Sequence, residues 1–274
     1  MQSKMRKIVM LAFLLALPAV LRAQKSFELP LWTGSELTDD RADARLLVFL
    51  ADNPTGQAVV ACPGGGYRFL SMQNEGIWFA RLFNPNGISL MVLKYRLPKQ
   101  RHTVPLEDAE QAMRLVRSHA AEWGVDTANV GVMGSSAGGH LATTLATHYH
   151  SKATRPDFQI LLYPVVTMDK TFTDMGTHDN LIGKDASPEM EELYSNEKHV
   201  TDDTPRAFII FSSNDRTVPL KNGFLYAQAM IDHKIPVSLH VYPDGYHGFG
   251  YNPDFKDADI WHKELVRWLK RDGK

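Results

Sequence analysis

Val130–His140 reads VGVMGSSAGGH, and the fold turns on this stretch. An apolar run, Val130–Met133, ends in Gly134-Ser135-Ser136-Ala137-Gly138 and passes into a helix-like segment. The pattern is the G-x-S-x-G of a nucleophile elbow with Ser136 at its centre. A serine on so tight a strand-to-helix turn is strained, and side chains two residues to either side would strike the neighbouring backbone. Gly134 and Gly138 remove those side chains, and only Ser136, not Ser135, has glycine on both sides. The Ala137 N–H opens a helix N-terminus, where unpaired donors favour negative charge. Taken alone, the stretch is also readable as a glycine-rich turn. The functional reading needs an acid, a histidine and a second oxyanion donor elsewhere in the chain.

Composition sets the frame. The 274 residues are 44% hydrophobic and 22% charged, which suits one globular α/β domain. Lys4, Arg6 and Lys7 precede the apolar run Ile8–Val20, and Leu21-Arg22-Ala23 leads into Gln24. We expect a signal peptide over residues 1–23 and a single domain over 24–274. The run is short for a transmembrane helix, so we expect no stable membrane anchor after cleavage and a periplasmic or secreted protein. Formal charge is −1, and removal of Lys4, Arg6, Lys7 and Arg22 leaves about −5. With no basic stripe, nucleic acid is not an expected partner. Cys62 is the only cysteine, so no internal disulfide forms, and its place in the run Ala58–Cys62 predicts a buried small hydrophobe.

Strand-like runs alternate with helix-like ones. Strands are expected at Leu46–Leu50, Ala58–Cys62, Ile88–Leu93, Val130–Met133, Phe158–Tyr163, Ala207–Phe211 and Val237–Tyr242. A short lead-in strand or edge segment is expected within residues 24–45. Helices are expected at Asn74–Phe83, from a Thr103 cap with Pro105 in the first turn to near Gly124, and at Ala137–His148, Leu220–Ile231 and Ile260–Leu269. The alternation predicts a mostly parallel sheet covered on both faces. Thr167–Pro205 is polar, with a short helix from Ser187-Pro188-Glu189 to about Tyr194. It reads as a small insertion over the sheet's carboxyl edge, although a plain surface loop has the same composition.

Ligands of open α/β sheets bind at the carboxyl ends of strands, so polar residues that end strand runs are the candidates. Asp215 follows the run Ala207–Phe211, and His247 lies in a glycine-rich loop after Val237–Tyr242. Asp202 and Asp203 are rivals for the acid, but no strand precedes them. His140, four residues after Ser136, reads as a packing residue. His148 and His150 lack partners at metal spacing, so neither a metal nor another cofactor is expected. Ser136, Asp215 and His247 stand in the chain order of the serine triad in which histidine takes the hydroxyl proton and the carboxylate orients the imidazole. Pro63-Gly64-Gly65-Gly66-Tyr67 ends an early strand where the second oxyanion donor belongs. It is similar to an HGGG-type loop with Pro63 in place of the histidine. By position Gly65 or Gly66 donates, together with Ala137.

With these parts in order, the chain resembles an α/β-hydrolase of the esterase/lipase group. Pro63–Tyr67, Lys94-Tyr95-Arg96-Leu97, Val132–His140, Tyr194-Ser195-Asn196-Glu197 and Asp215–Pro219 together resemble the bacterial acetyl xylan esterase-like enzymes. That resemblance implies an α/β-hydrolase fold and an exported serine esterase acting on acetylated carbohydrate. Tyr67, Arg68, Trp78 and Met168 are candidates for the substrate rim, each equally readable as packing or surface. A feruloyl esterase, a prolyl-peptidase-like hydrolase and a non-catalytic carbohydrate-binding relative are the competing readings.

Overall fold

A computed structural model describes residues 26–271. The expected signal peptide lies outside the described residues. Eight strands form one sheet: β1 (Ser26–Pro30), β2 (Arg45–Phe49), β3 (Gly56–Cys62), β4 (Ser89–Lys94), β5 (Val125–Ser135), β6 (Gln159–Leu162), β7 (Ala207–Ser212) and β8 (Val237–Tyr242). The spatial order is β1-β2-β4-β3-β5-β6-β7-β8. β1–β2 and β2–β4 pair antiparallel, and every pair from β4–β3 to β7–β8 is parallel. The helices are α1 (Ala80–Phe83), α2 (Val104–Ser118), α3 (Ala120–Trp123), α4 (Ala137–His148), α5 (Met175–Leu181), α6 (Pro188–Leu193), α7 (Lys221–Asp232) and α8 (Ala258–Arg271). Among the described residues no helix is long and apolar enough to cross a membrane.

The apolar runs without alternation are the central strands. Residues 58–62, 90–93 and 207–211 are fully buried, as strands covered on both faces must be. Cys62 belongs to this core, and burial pushes its thiol up to about 12. α8 closes the domain with Trp261, Leu265 and Leu269 inward, and Trp261 packs against Phe79 and Phe249. Because β3, β5, β7 and β8 run parallel, residues 63–66, 136, 215 and 247 all emerge at one end of the sheet. Topology alone therefore gathers residues as far apart as 184 positions in sequence.

Three local expectations change. Residues 74–83 do not form one helix: a 3₁₀ turn at Ile77–Phe79 leads into the short α1. The Asn74 carbonyl accepts from Tyr251 N at 2.6 Å, so it is not free for an i+4 helix bond. Thr103 holds the N-cap position of α2, but its hydroxyl donates to Glu107 Oε1 at 3.0 Å instead of accepting from a backbone N–H. The polar stretch 167–205 holds α5 as well as α6. Asp174 caps α5 by accepting from Thr177 N at 2.8 Å, a helix start with no apolar periodicity behind it.

The Lys94–Leu97 segment anchors the lead-in to the sheet. Asp108, fully buried on α2, accepts from Trp32 Nε1 at 2.7 Å and from Arg96 N at 2.8 Å, and takes the Arg96 guanidinium at 2.8–3.0 Å. Arg96 also meets Asp40 Oδ2 at 2.9 Å and Glu107 Oε2 at 3.3 Å, but both are half-exposed. Removing Asp108 therefore strips the guanidinium of its buried partner and leaves the Trp32 Nε1 and Arg96 N–H donors without an acceptor, at a cost of about 3–5 kcal/mol. Asp108→Ala is therefore expected to lose about that much unfolding free energy in urea titrations at pH 7. A loss below about 1 kcal/mol would show the cluster to be structurally idle.

Candidate active site

β5 ends in the turn at Ser136, where φ is 54° and ψ is −122°. That conformation is costly for a side-chain-bearing residue, by about 1–3 kcal/mol. Three backbone bonds hold it: Ser136 N donates to Leu162 O at 3.0 Å, while Ser136 O accepts from His140 N and Val165 N at 3.1 Å each. The flanking glycines allow the close approach. A Cβ on Gly134 would lie 2.1 Å from Gly138 O, and one on Gly138 would lie 2.0 Å from Cys62 O.

The other groups converge on this serine. Ser136 Oγ lies 2.8 Å from His247 Nε2, and His247 Nδ1 lies 2.7 Å from Asp215 Oδ2. Asp215 Oδ1 accepts from Thr217 N at 2.8 Å and Val218 N at 2.9 Å, so both of its oxygens are used. A carboxylate so engaged keeps Nδ1 protonated and leaves Nε2 as the acceptor facing the hydroxyl. Asn214 Oδ1 accepts from Tyr246 N at 2.8 Å and joins the aspartate loop to the histidine loop. The rival acids stand elsewhere: Asp202 pairs with His233, and Asp203 pairs with Arg155 and Tyr149.

The 63–67 loop borders the same cleft, which has a volume of about 360 Å³. Gly65 and Gly66 line it, and their N–H groups donate to no acceptor among the described residues. The same holds for the Ala137 N–H, which is buried at the start of α4. Gly65 has φ +131°, and a Cβ there would meet Phe69 O at 2.2 Å. Gly64 is committed differently: its N–H donates to Glu75 Oε2 at 2.9 Å. Glu75 is buried in the cleft wall, and its other oxygen accepts from Tyr163 Oη at 2.7 Å.

The rim candidates separate. Arg68 is exposed and lines the cleft. Tyr67 does not: it is buried, with its hydroxyl 3.1 Å from His140 Nδ1. Met168 is fully buried, its N–H bonded to Ser195 Oγ at 3.0 Å. Trp78 is partly exposed beside Arg81, outside the cleft lining. The rest of the cleft wall is instead built by Phe69, Ser71, Asp174, Gly176, Asn180 and Thr217. Three of these come from the polar insertion, and Asn180 Nδ2 donates to Gly66 O at 2.7 Å. Spacing gives no sign of Asn180, Asp174 or Glu75. The one available signal for Glu75 is the Gly76 that follows it inside a stretch read as a helix. Among the described residues no group of three His, Cys, Asp or Glu side chains could hold a metal.

Comparison with known proteins gives the same architecture. Residues 59–250 match the family model described as alpha/beta hydrolase fold. An acetylxylan esterase of Xylanibacter ruminicola is 39% identical over 269 residues, covering 97% of this chain and 55% of its own length. Endo-1,4-beta-xylanase B of Butyrivibrio fibrisolvens is 35% identical over 213 residues, covering 72% of this chain and 33% of its own. The chain thus spans about half or less of these relatives. A crystal structure of an acetyl ester-xyloside bifunctional hydrolase from Caldicellulosiruptor lactoaceticus superposes with a TM-score of 0.82 at 32% identity, over 89% of this chain and 95% of that one.

His140 has a supporting place beneath the cleft. Its Nε2 donates to Tyr194 O at 2.9 Å and its Nδ1 accepts from Tyr67 Oη, which requires the neutral ring. Burial lowers its pKa to about 4. The unfolded chain takes up a proton below about pH 6.5, whereas the folded chain resists until about pH 4. More protons are bound unfolded across that window, so stability rises with pH there and is lost as pH falls. The contribution reaches about 3 kcal/mol at most. Urea midpoints measured from pH 7 to pH 4 are expected to fall, with a shallower fall in His140→Gln; equal slopes would overturn the assignment.

Proposed function

Because this chain belongs to the α/β-hydrolase family, we propose that it is a serine carboxylesterase that deacetylates xylan-type oligo- or polysaccharides through an acetyl-enzyme. The observation that carries the reading is the unbroken line from Ser136 Oγ through the His247 imidazole to the Asp215 carboxylate. A serine hydroxyl is a weak nucleophile at neutral pH. On this reading His247 Nε2 takes its proton as Oγ attacks the acetyl carbonyl. Asp215 stabilises the imidazolium that forms, in a site where both partners are largely desolvated.

The developing oxyanion is received by the N–H of Ala137 and that of Gly65 or Gly66, each without another acceptor. His247 then returns the proton to the departing sugar hydroxyl. Water attacks the acetyl-enzyme with His247 as base, and acetate and the free serine result. An acetyl group needs little room beside Ser136, which suits a cleft of about 360 Å³. Ser71, Asp174, Asn180 and Thr217 in its wall offer hydrogen-bonding groups to a sugar leaving group, and Phe69 offers an apolar face. The acetyl-xylan substrate rests on the acetylxylan esterase and the acetyl ester-xyloside hydrolase that this chain resembles. Export rests on the residue pattern over 1–23.

Hydrolysis of 4-nitrophenyl acetate is expected to fall about 10⁴–10⁶-fold in Ser136→Ala, equivalent to roughly 5–8 kcal/mol of transition-state stabilisation. Asp215→Asn should lose less while keeping its fold by circular dichroism. An undiminished rate in Ser136→Ala, or a larger loss in Asp203→Asn than in Asp215→Asn, would refute the mechanism. For the substrate, acetate release from acetylated xylan is expected to exceed ferulate release from feruloylated arabinoxylan and cleavage of prolyl peptides at equal enzyme. Faster ferulate or peptide release would replace the acetyl reading by that one.

A further inference from the structure

Glu75 is a carboxylate in the wrong place for a purely structural residue. It is 4% exposed, borders the cleft that holds Ser136, and belongs to no helix or strand. Burying a carboxylate is expensive unless its oxygens are met by donors. Here both are. Gly64 N donates to Oε2 at 2.9 Å. Tyr163 Oη accepts from Gly250 N at 2.9 Å, so its own proton is directed to Glu75 Oε1 at 2.7 Å. Burial raises the carboxyl above its usual carboxylate range, and the Tyr163 and Gly64 hydrogen bonds and the nearby His247 offset part of that rise by favouring the ionised form.

The partners are the significant part. Gly64 is the first glycine of the loop that offers the Gly65 and Gly66 amides. It is confined as well as bonded: a Cβ there would meet Ser135 O at 2.6 Å, Glu75 Oε2 at 2.7 Å and Ser136 Cβ at 2.9 Å. Tyr163 holds a strained φ of 37°, and its ring packs edge-on to the His247 ring with centroids 4.9 Å apart. The adjacent Asn74 grips the same histidine loop from below. Its Nδ2 donates to Gly248 O at 3.0 Å, and its carbonyl accepts from Tyr251 N. Asn74-Glu75 therefore joins the loop after β3 to the loop after β8, two segments with no neighbouring strands in common.

We infer that Glu75 is a positioning residue for the ester chemistry. Its carboxylate ties the oxyanion loop at Gly64 to the tyrosine that supports His247, so that both loops meet Ser136 in register. The inference rests on the serine-esterase reading above. Placement of this kind acts where charge develops, since an oxyanion donor displaced by a fraction of an ångström loses most of its effect in the transition state. In its ionised form the carboxylate also favours the imidazolium that forms as the serine proton transfers. Both effects lie in turnover and not in ground-state binding.

The test measures turnover per competent site. Wild type, Glu75→Gln, Tyr163→Phe and the double variant are labelled to completion with a 4-nitrophenyl organophosphate to count reactive serines. Steady-state kinetics on 4-nitrophenyl acetate follow. Glu75→Gln keeps shape and one acceptor but loses the charge, and its kcat per labelled serine is expected to fall about ten- to a hundredfold with KM within about threefold. Tyr163→Phe should fall in the same direction by less, and the double variant should be no worse than Glu75→Gln, as for two residues acting through one connection. Turnover per labelled serine within about twofold of wild type would overturn the inference, as would a loss carried wholly by KM or by fewer labelled sites. If Glu75→Gln does not fold, Tyr163→Phe decides alone, and a fall of less than about threefold rejects the connection. Retained activity in Ser136→Ala sinks the esterase reading itself, whereas an inactive Ser136→Ala beside an unaffected Glu75→Gln sinks only this inference.

Discussion

The site depends on one strained turn. Ser136 at φ 54° cannot relax, because its amide is bonded to Leu162 O and its carbonyl accepts from two amides further along the chain. Those bonds exist only if β5 and β6 are parallel and in the observed register, with Ser135 opposite Leu162. The space for the turn exists only if Gly138 sits against the Cys62 and Pro63 carbonyls at the end of β3. The Ser136 turn, the Gly64–Gly66 loop and the sheet core are thus one packing problem. The cost of the turn, about 1–3 kcal/mol, is offset by the surrounding buried apolar strands.

Around that turn the interior is polar and mostly satisfied, with Ser135 Oγ and Asn196 Oδ1 as buried atoms that lack a partner among the described residues. Asp215, Glu75 and His140 are each held by two or more partners, at least one of them on a distant segment of the chain. Such networks gain little net stability over apolar packing, but they are intolerant of displacement. That intolerance suits a site in which donors must face a charge that exists only during the reaction. The same logic accounts for Asn196, whose Nδ2 reaches Thr143 Oγ1 at 2.9 Å and Thr144 Oγ1 at 3.0 Å, binding the polar insertion to the helix that follows Ser136.

Sheet class and the three converging side chains were legible in the sequence because they follow from short-range rules. Apolar runs without alternation mark doubly covered strands, and a parallel sheet puts every strand-end loop on one edge. Ser136, Asp215 and His247 are each announced by such a run and a turn. Glu75 and Asn180 follow from no such rule. Glu75 faces the cleft because Gly76 and the Asn74 carbonyl break a helix that residues 74–83 would otherwise form, and the partner responsible, Tyr251, is 177 positions away. Of the two readings open for Tyr67, beside the glycine loop, and Met168, just past β6, the structure takes packing: the Tyr67 hydroxyl meets His140 and the Met168 N–H meets Ser195.

The origin of the cleft walls separates chemistry from selectivity. The groups proposed for bond making lie on the elbow and on loops directly after β3, β7 and β8, where the sheet leaves them little freedom. The outer wall is drawn partly from the 167–205 insertion, through Asp174, Gly176 and Asn180. Substitutions there can reshape the surface met by the leaving alcohol without moving Ser136 or His247. The separation is incomplete at one atom pair, because Asn180 Nδ2 holds the Gly66 carbonyl. A peptide unit gripped at its carbonyl also has its N–H direction set, and the N–H on the far side of that carbonyl belongs to Tyr67, whose conformation is already set by His140. The insertion therefore helps to fix the Gly64–Tyr67 loop, and its sequence cannot drift as freely as an exposed loop's.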